Sequence, residues 1–134
     1  MDRLSPRERS AMMQRVRSRD SGPEMIVRRL VHAMGYRYRL HAAHLPGRPD
    51  LVLSVRGKVV FVHGCFWHQH PRCPKSARPR SNMNFWRRKL DANVARDRRN
   101  ITELQARGWQ TLVIWECELR DPDRVGLRLR KFLG

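Results

Sequence analysis

The chain has 134 residues, with 29 Lys and Arg against 12 Asp and Glu, a formal charge of +17. That length suits one domain with one core, and so much like charge points to a polyanionic partner, nucleic acid ahead of a membrane surface. The three cysteines fit a disulfide framework poorly, no apolar run approaches the ~20 residues that cross a bilayer, and "MDRLSPRERS" has no apolar signal-peptide segment. The expected setting is therefore cytoplasmic and associated with the nucleoid, where clustered Cys and His suggest a metal.

Residues 1–20 read as a basic arm or short helix, with Met12, Met13 and Val16 at near-helical spacing, ahead of a single domain over 21–134. "DSGPEMIVRRLVHAMG" predicts a helix capped by Asp20 or Ser21, with Pro23 in its first turn and Gly35 at its end. "YRYRLH" alternates like an edge strand, and "HLPGRPD" is a turn. "DLVLSV", Arg56-Gly57 and "KVVFVH" predict a hairpin of two central strands. Pro71, Pro74 and Pro79 break up residues 64–82. A long amphipathic helix follows in "NFWRRKLDANVARDRRNITELQARG", its apolar side approximated by Phe85, Leu90, Val94, Ile101 and Leu104. The strand "WQTLVIWE" and a last helix "DPDRVGLRLRKFLG", capped by Asp121, complete an α/β layered domain with a mixed sheet.

The segment "HGCFWHQHPRC", residues 63–73, mixes metal ligands, a potential base and bulky aromatics. Cys65, His70 and Cys73 give the spacing C-x4-H-x2-C, and a tetrahedral zinc site needs a fourth ligand. Cys117, at the end of "VIWEC", supplies one if its strand neighbours "KVVFVH". His68 can stand in for His70, so one imidazole remains for other chemistry. A clamp of this kind would replace the core that a Pro-rich loop lacks; the plainer reading is three buried thiols and unrelated histidines.

Asp50 follows "PGRP" where the sheet begins, a placement that suits Mg²⁺, which takes one or two carboxylates and keeps several waters. The common nuclease layout continues with an acid-x-Lys on the next strand, but here that strand offers Phe61, Val62 and His63. A main-chain carbonyl near Val62, a water held by Glu24, and His63 or His68 as proton carrier can substitute.

"LPGRPDLVL", "VVFVHGCFWH", "NFWRRKLDANVARDRRNITELQARGW" and "VIWECELR" together resemble the very-short-patch (T:G mismatch) repair endonucleases, the Vsr family, over about residues 8–120. The resemblance implies a restriction-endonuclease-like mixed sheet flanked by helices and one structural zinc site. It implies Mg²⁺ on Asp50 and the Val62 carbonyl, a water-bridged Glu24, His68 as base and His63 in support at the scissile phosphate. Zinc falls to Cys65, His70, Cys73 and Cys117. Phe66, Trp67 and Trp86 become a wedge between base pairs, since unstacking is least unfavourable at a mismatch; Phe85 and Trp109 are left to the core. Met13 and Val16 would press into DNA from the other groove, and Arg15, Arg17 and Arg19, with Arg96, Arg98 and Arg99, would include phosphate contacts. Val62 is often Thr in such proteins, which a carbonyl ligand tolerates.

The implied activity is Mg²⁺-dependent nicking of one strand 5′ of the thymine in a T:G pair left by deamination of 5-methylcytosine. Duplex DNA is the expected partner and mismatch-repair proteins are candidates. A monomer is expected, because one nick needs one active centre. Two alternatives stand beside it: a related nuclease of broader mismatch or site specificity, and a zinc-stabilised DNA-binding protein without catalysis.

Overall fold

A computed structural model describes residues 21–134. The expectations for the basic arm, including Met13, Val16, Arg15, Arg17 and Arg19, lie outside the described residues. The described elements run α1 (Gly22–Ala33), β1 (Arg39–Leu40), β2 (Leu51–Leu53), β3 (Lys58–His63), α2 (Met83–Ala106), β4 (Gln110–Trp115) and α3 (Pro122–Leu133). The sheet order is β1-β2-β3-β4. β1, β2 and β3 pair antiparallel, whereas β3 and β4 pair parallel with Val62 opposite Ile114. That change of direction requires a crossover, which α2 provides.

Side-chain alternation divides the sheet into two apolar faces. Leu51, Leu53, Val60 and Ile114 join Val27 and Val31 of α1 and Val125, Leu129 and Leu133 of α3. Val52, Val59 and Phe61 face the other way, with Leu104 of α2, Ala42 and Leu45. The α1 cap is Ser21, whose hydroxyl accepts from the Glu24 amide (3.3 Å); Asp121 caps α3 in the same way through Arg124 (3.3 Å).

Several boundaries differ from expectation. β2 stops at Leu53 and Ser54–Arg56 form a 3₁₀ turn, closed by Gly57 in the left-handed region (φ 67°). β4 also ends early, because Glu116–Arg120 coil into a 3₁₀ turn. Phe85, expected in the core, is 56% exposed. The inward stripe of α2 is instead Leu90, Asn93, Asp97, Asn100 and Leu104, at spacings of three and four. Its middle is polar because it faces turns and the loop after β3 rather than a strand.

Gly47 shows how closely one of those turns approaches. Its φ is +76°, and a Cβ there would meet Asn100 and the Phe61 ring at 3.1 Å. Gly47→Ala is therefore expected to lower the melting temperature by several degrees, on the order of 1–3 kcal/mol, and to displace Asp50 three residues on. Thermal unfolding checks it; an unchanged melting temperature would mean that the turn adapts.

Candidate active site and metal centre

Among the described residues, three clusters of ligating side chains form around the C-terminal end of β3 and the loop that follows it. In the first, Glu24, His41 and Asp50 bring ligating atoms within 4.8 Å of one another. Glu24 is only 3% exposed, although it lies in the first turn of a helix. Its Oε2 accepts from His41 Nε2 (2.8 Å) and from the Arg28 guanidinium one turn along. Asp50 Oδ2 accepts the Val62 amide (2.6 Å). Burial pushes the Asp50 carboxyl up from its ordinary 3.8 to about 7, and the neighbouring Glu24 carboxylate pushes the same way. The buried Glu24 carboxylate beside the half-buried Asp50, whose proton affinity is raised, is a donor set that a hard divalent cation would relieve.

That shift has a testable consequence. Without a cation, the folded chain holds a proton on Asp50 between about pH 4 and 7 that the unfolded chain releases, so this group's contribution to stability falls as pH rises through that window. A cation must displace that proton. The Mg²⁺ concentration for half-maximal activity is expected to rise about tenfold per unit below pH 7 and to level off above it. Mg²⁺ titrations from pH 5.5 to 8.5 measure this, and a half-activation point that ignores pH would contradict it.

The second cluster is His63, His68 and Asp97. The two imidazoles stack with centroids 3.8 Å apart and planes 5° from parallel. His68 Nδ1 lies 2.7 Å from Asp97 Oδ2. A carboxylate on Nδ1 fixes the tautomer that leaves the Nε2 lone pair available. Burial, with the His68 ring as a second cause, pulls His63 down from 6.5 to about 3, so it stays neutral near pH 7. His63 is 6% exposed and contacts Trp115 edge-on as well. Its proton works in the opposite sense to that of Asp50: this contribution to stability is present above about pH 6.5 and lost as pH falls towards 3.

The third cluster is Cys65, His70, Cys73 and Cys117, again within 4.8 Å. The parallel pairing of β3 and β4 places His63 opposite Trp115, so both strands end together and Cys65 and Cys117 follow them. His70 Nδ1 lies 3.6 Å from Cys65 Sγ and 3.4 Å from Cys117 Sγ. Tetrahedral zinc with ordinary bond lengths would set nitrogen and sulfur about 3.6 Å apart. Burial pushes the Cys65 thiol up to about 12, so a thiolate there needs a cation beside it. The Cys65 amide donates to Glu116 Oε1 (3.0 Å), and the His70 ring stacks on Trp115 at 4.2 Å. The donor set fits a closed structural zinc site.

The aromatics sit between these clusters. Phe66 contacts Trp67 and Trp86 edge-on at 5.2 and 5.4 Å. Trp67, expected as part of the wedge, is buried at 8% exposure, and Asn93 Nδ2 donates to its carbonyl (3.1 Å). Phe66 and Trp86 are half-buried, and the exposed Phe85 lies 5.2 Å from Trp86.

The proposed catalytic and metal-ligand residues within 21–134 lie in or beside these clusters, and two partners were missed. Asp97 is a lone acid in the basic run "ARDRR", four residues after Asn93, so that successive inward positions of α2 hold Trp67 and then His68. His41 was read only as the end of an edge strand.

A carboxylate pair beside a carboxylate-oriented imidazole, on a mixed sheet in a strongly basic chain, is a set of groups suited to hydrolysing a phosphodiester. The fold is similar to that of the Homing Endonuclease I-Bth0305I Catalytic Domain, with a TM-score of 0.57 and 24% identity over 84% of this chain and 94% of that one. The family model for DNA mismatch endonuclease Vsr matches residues 1–75. The Type II nicking enzyme V.XorIIP of Xanthomonas oryzae pv. oryzae is 49% identical, over 98% of this chain and 96% of that one. The DNA mismatch endonuclease Vsr of Escherichia coli is 41% identical, over 87% of this chain and 74% of that one. The chain belongs to the Vsr family of DNA endonucleases. Among the described residues no helix is long and apolar enough to cross a membrane.

Proposed function

We propose that the protein nicks one strand of duplex DNA 5′ of the thymine in a T:G mismatch, in repair of deaminated 5-methylcytosine. The observation that carries this reading is the continuity of the first two clusters. Asp50 is bonded to the Val62 amide, Val62 precedes His63, and His63 stacks on His68. A carboxylate pair and an oriented base therefore adjoin the same two residues of β3.

His68 Nε2 takes the proton of the attacking water, and Asp97 stabilises the resulting imidazolium. The neutral, buried His63 ring holds His68 by stacking on it and so supports it at the phosphate. Asp50, the Val62 carbonyl and a water on Glu24 would hold Mg²⁺. When bound, that ion supplies Lewis-acid stabilisation of the departing oxygen. Cys65, His70, Cys73 and Cys117 would hold Zn²⁺ and so fix the loop that carries both the base and the wedge. Phe66 and Trp86, backed by Trp67, enter the mismatched step; an ordered wedge does not lose binding energy to its own immobilisation. The exposed Arg98 and Arg99, with Arg96, contact phosphates and make binding fall steeply with salt. One site makes one nick, which a monomer in the cytoplasm suffices to do; mismatch-repair proteins are proposed partners.

The test is a panel of end-labelled duplexes carrying T:G, other mismatches or a matched T:A pair, incubated with Mg²⁺ or with chelator. A single Mg²⁺-dependent nick on the thymine strand of T:G is expected. Equal cutting across mismatches supports the broader-specificity nuclease instead, and binding with no nick supports the non-catalytic DNA binder.

A further inference from the structure

We propose that His41 is a positioning residue for the cation site, setting the separation of the Glu24 and Asp50 carboxylates. This rests on the cation reading of those two carboxylates. His41 bonds both halves of the site with different parts of itself. Its amide donates to the Asp50 carbonyl (3.2 Å), and its Nε2 is 2.8 Å from Glu24 Oε2.

The backbone at His41 supports a role beyond packing. Its φ is 48°, in the left-handed region that non-glycine residues seldom occupy. Held in a β conformation, the residue would simply extend β1, whose pairing to β2 ends one step earlier with Leu40 opposite Leu51. The left-handed turn takes His41 out of that ladder while keeping its amide on Asp50. The imidazole then reaches a helix that forms no part of the sheet, and its side chain is only 12% exposed. Such a conformation is commonly maintained where surrounding structure and function require it.

The bonding pattern says what the imidazole does there. Glu24 Oε2 accepts from both His41 and Arg28, and Asp50 Oδ2 accepts from Val62. Each carboxylate thus has one oxygen held by protein donors, and the two side chains lie within hydrogen-bond reach of each other. Partners that hold the second oxygen of a ligating carboxylate fix its direction, and their loss commonly weakens metal affinity 10–100-fold.

The test compares His41→Asn and His41→Gln in the full-length protein. Asn tolerates the left-handed backbone but is too short to reach Glu24; Gln keeps an N–H donor at about the reach of Nε2. Mn²⁺ serves as probe, its binding read by electron paramagnetic resonance, alongside the Mg²⁺ dependence of nicking. His41→Asn is expected to weaken Mn²⁺ binding about tenfold or more and to raise the Mg²⁺ half-activation point in parallel. The melting temperature should change little, since Arg28 still holds the Glu24 carboxylate. His41→Gln should recover most of the affinity. A purely structural role would instead lower the melting temperature and leave Mn²⁺ affinity intact, which overturns the proposal. Asp50→Asn separates the two levels: if it loses Mn²⁺ and His41→Asn does not, only the role of His41 fails. If Asp50→Asn binds Mn²⁺ like the parent, the cation site itself fails and this inference with it.

Discussion

Asp50→Ala and His68→Ala are each expected to slow nicking of a T:G duplex by about a thousandfold or more, with duplex affinity changed by less than about threefold. The size follows from what each group does. Removing Asp50 deletes the carboxylate bonded to the Val62 amide, and with it the charge that would hold a cation at the scissile phosphate. A thousandfold corresponds to about 4 kcal/mol of transition-state stabilisation, within the several kcal/mol attributed to a Lewis acid. Removing His68 would delete the proposed base, an effect on the order of 10²–10⁴-fold. Affinity survives because phosphate contacts and aromatic stacking lie elsewhere. Asp97→Asn should sit between these and the parent, at about 10–100-fold, since it spoils the orientation of His68 and keeps the imidazole. The double variant Asp50→Ala/His68→Ala should be little worse than either single one, because groups that act together do not contribute additively. Single-turnover nicking and duplex titrations measure all of these, and full cleavage by either single variant would refute the assignment.

Removing zinc should abolish activity by a different route. Cys65→Ser, or exhaustive chelation, is expected to lower nicking more than a hundredfold and weaken mismatch discrimination, with a clear loss of thermal stability. Cys65 is fully buried, and its cluster joins the end of β3 to the turn after β4. Between those anchors, residues 66–82 carry only short turns and one 3₁₀ segment, Pro74–Ser76. Polar bonds from Gln69 and Ser76 to loop carbonyls (2.7–3.1 Å) then hold the loop to itself more than to the core. Structural zinc contributes on the order of 10 kcal/mol in small domains, but here two apolar cores that include none of the four ligands flank the sheet. Loss of the loop with retention of the sheet is the expected result. Circular dichroism, zinc content and nicking should report near-native secondary structure, one zinc per chain before treatment, and activity restored on adding zinc back. A protein with no zinc and full activity would contradict this.

The fold was legible where local chemistry and periodicity agree. Ser21 and Asp121 cap the helices they were expected to cap, and β2 and β3 are the central strands. The zinc-type cluster was legible because Cys and His are rare and their spacing is local, with only Cys117 needing the parallel β3–β4 pairing to arrive. What escaped depended on contacts distant in sequence. Phe85 has a helical apolar spacing, yet α2 begins before it reaches the sheet, so that residue is exposed. Asp97 is one acid among arginines with no local signal, and its role depends on α2 lying over the loop that carries His68. His41 escaped because alternation of side chains describes a strand and carries no information about the left-handed residue that ends one.

The most direct test of convergence on one phosphodiester is a single stereodefined phosphorothioate placed 5′ of the mismatched thymine. Sulfur at one non-bridging position is expected to slow Mg²⁺-supported nicking by about a hundredfold, and the softer Mn²⁺ should restore the rate, but not in Asp50→Asn. Indifference to sulfur in both diastereomers, or Mn²⁺ rescue that persists in Asp50→Asn, would show that no cation held by Asp50 acts on the phosphate cut by the His68 base.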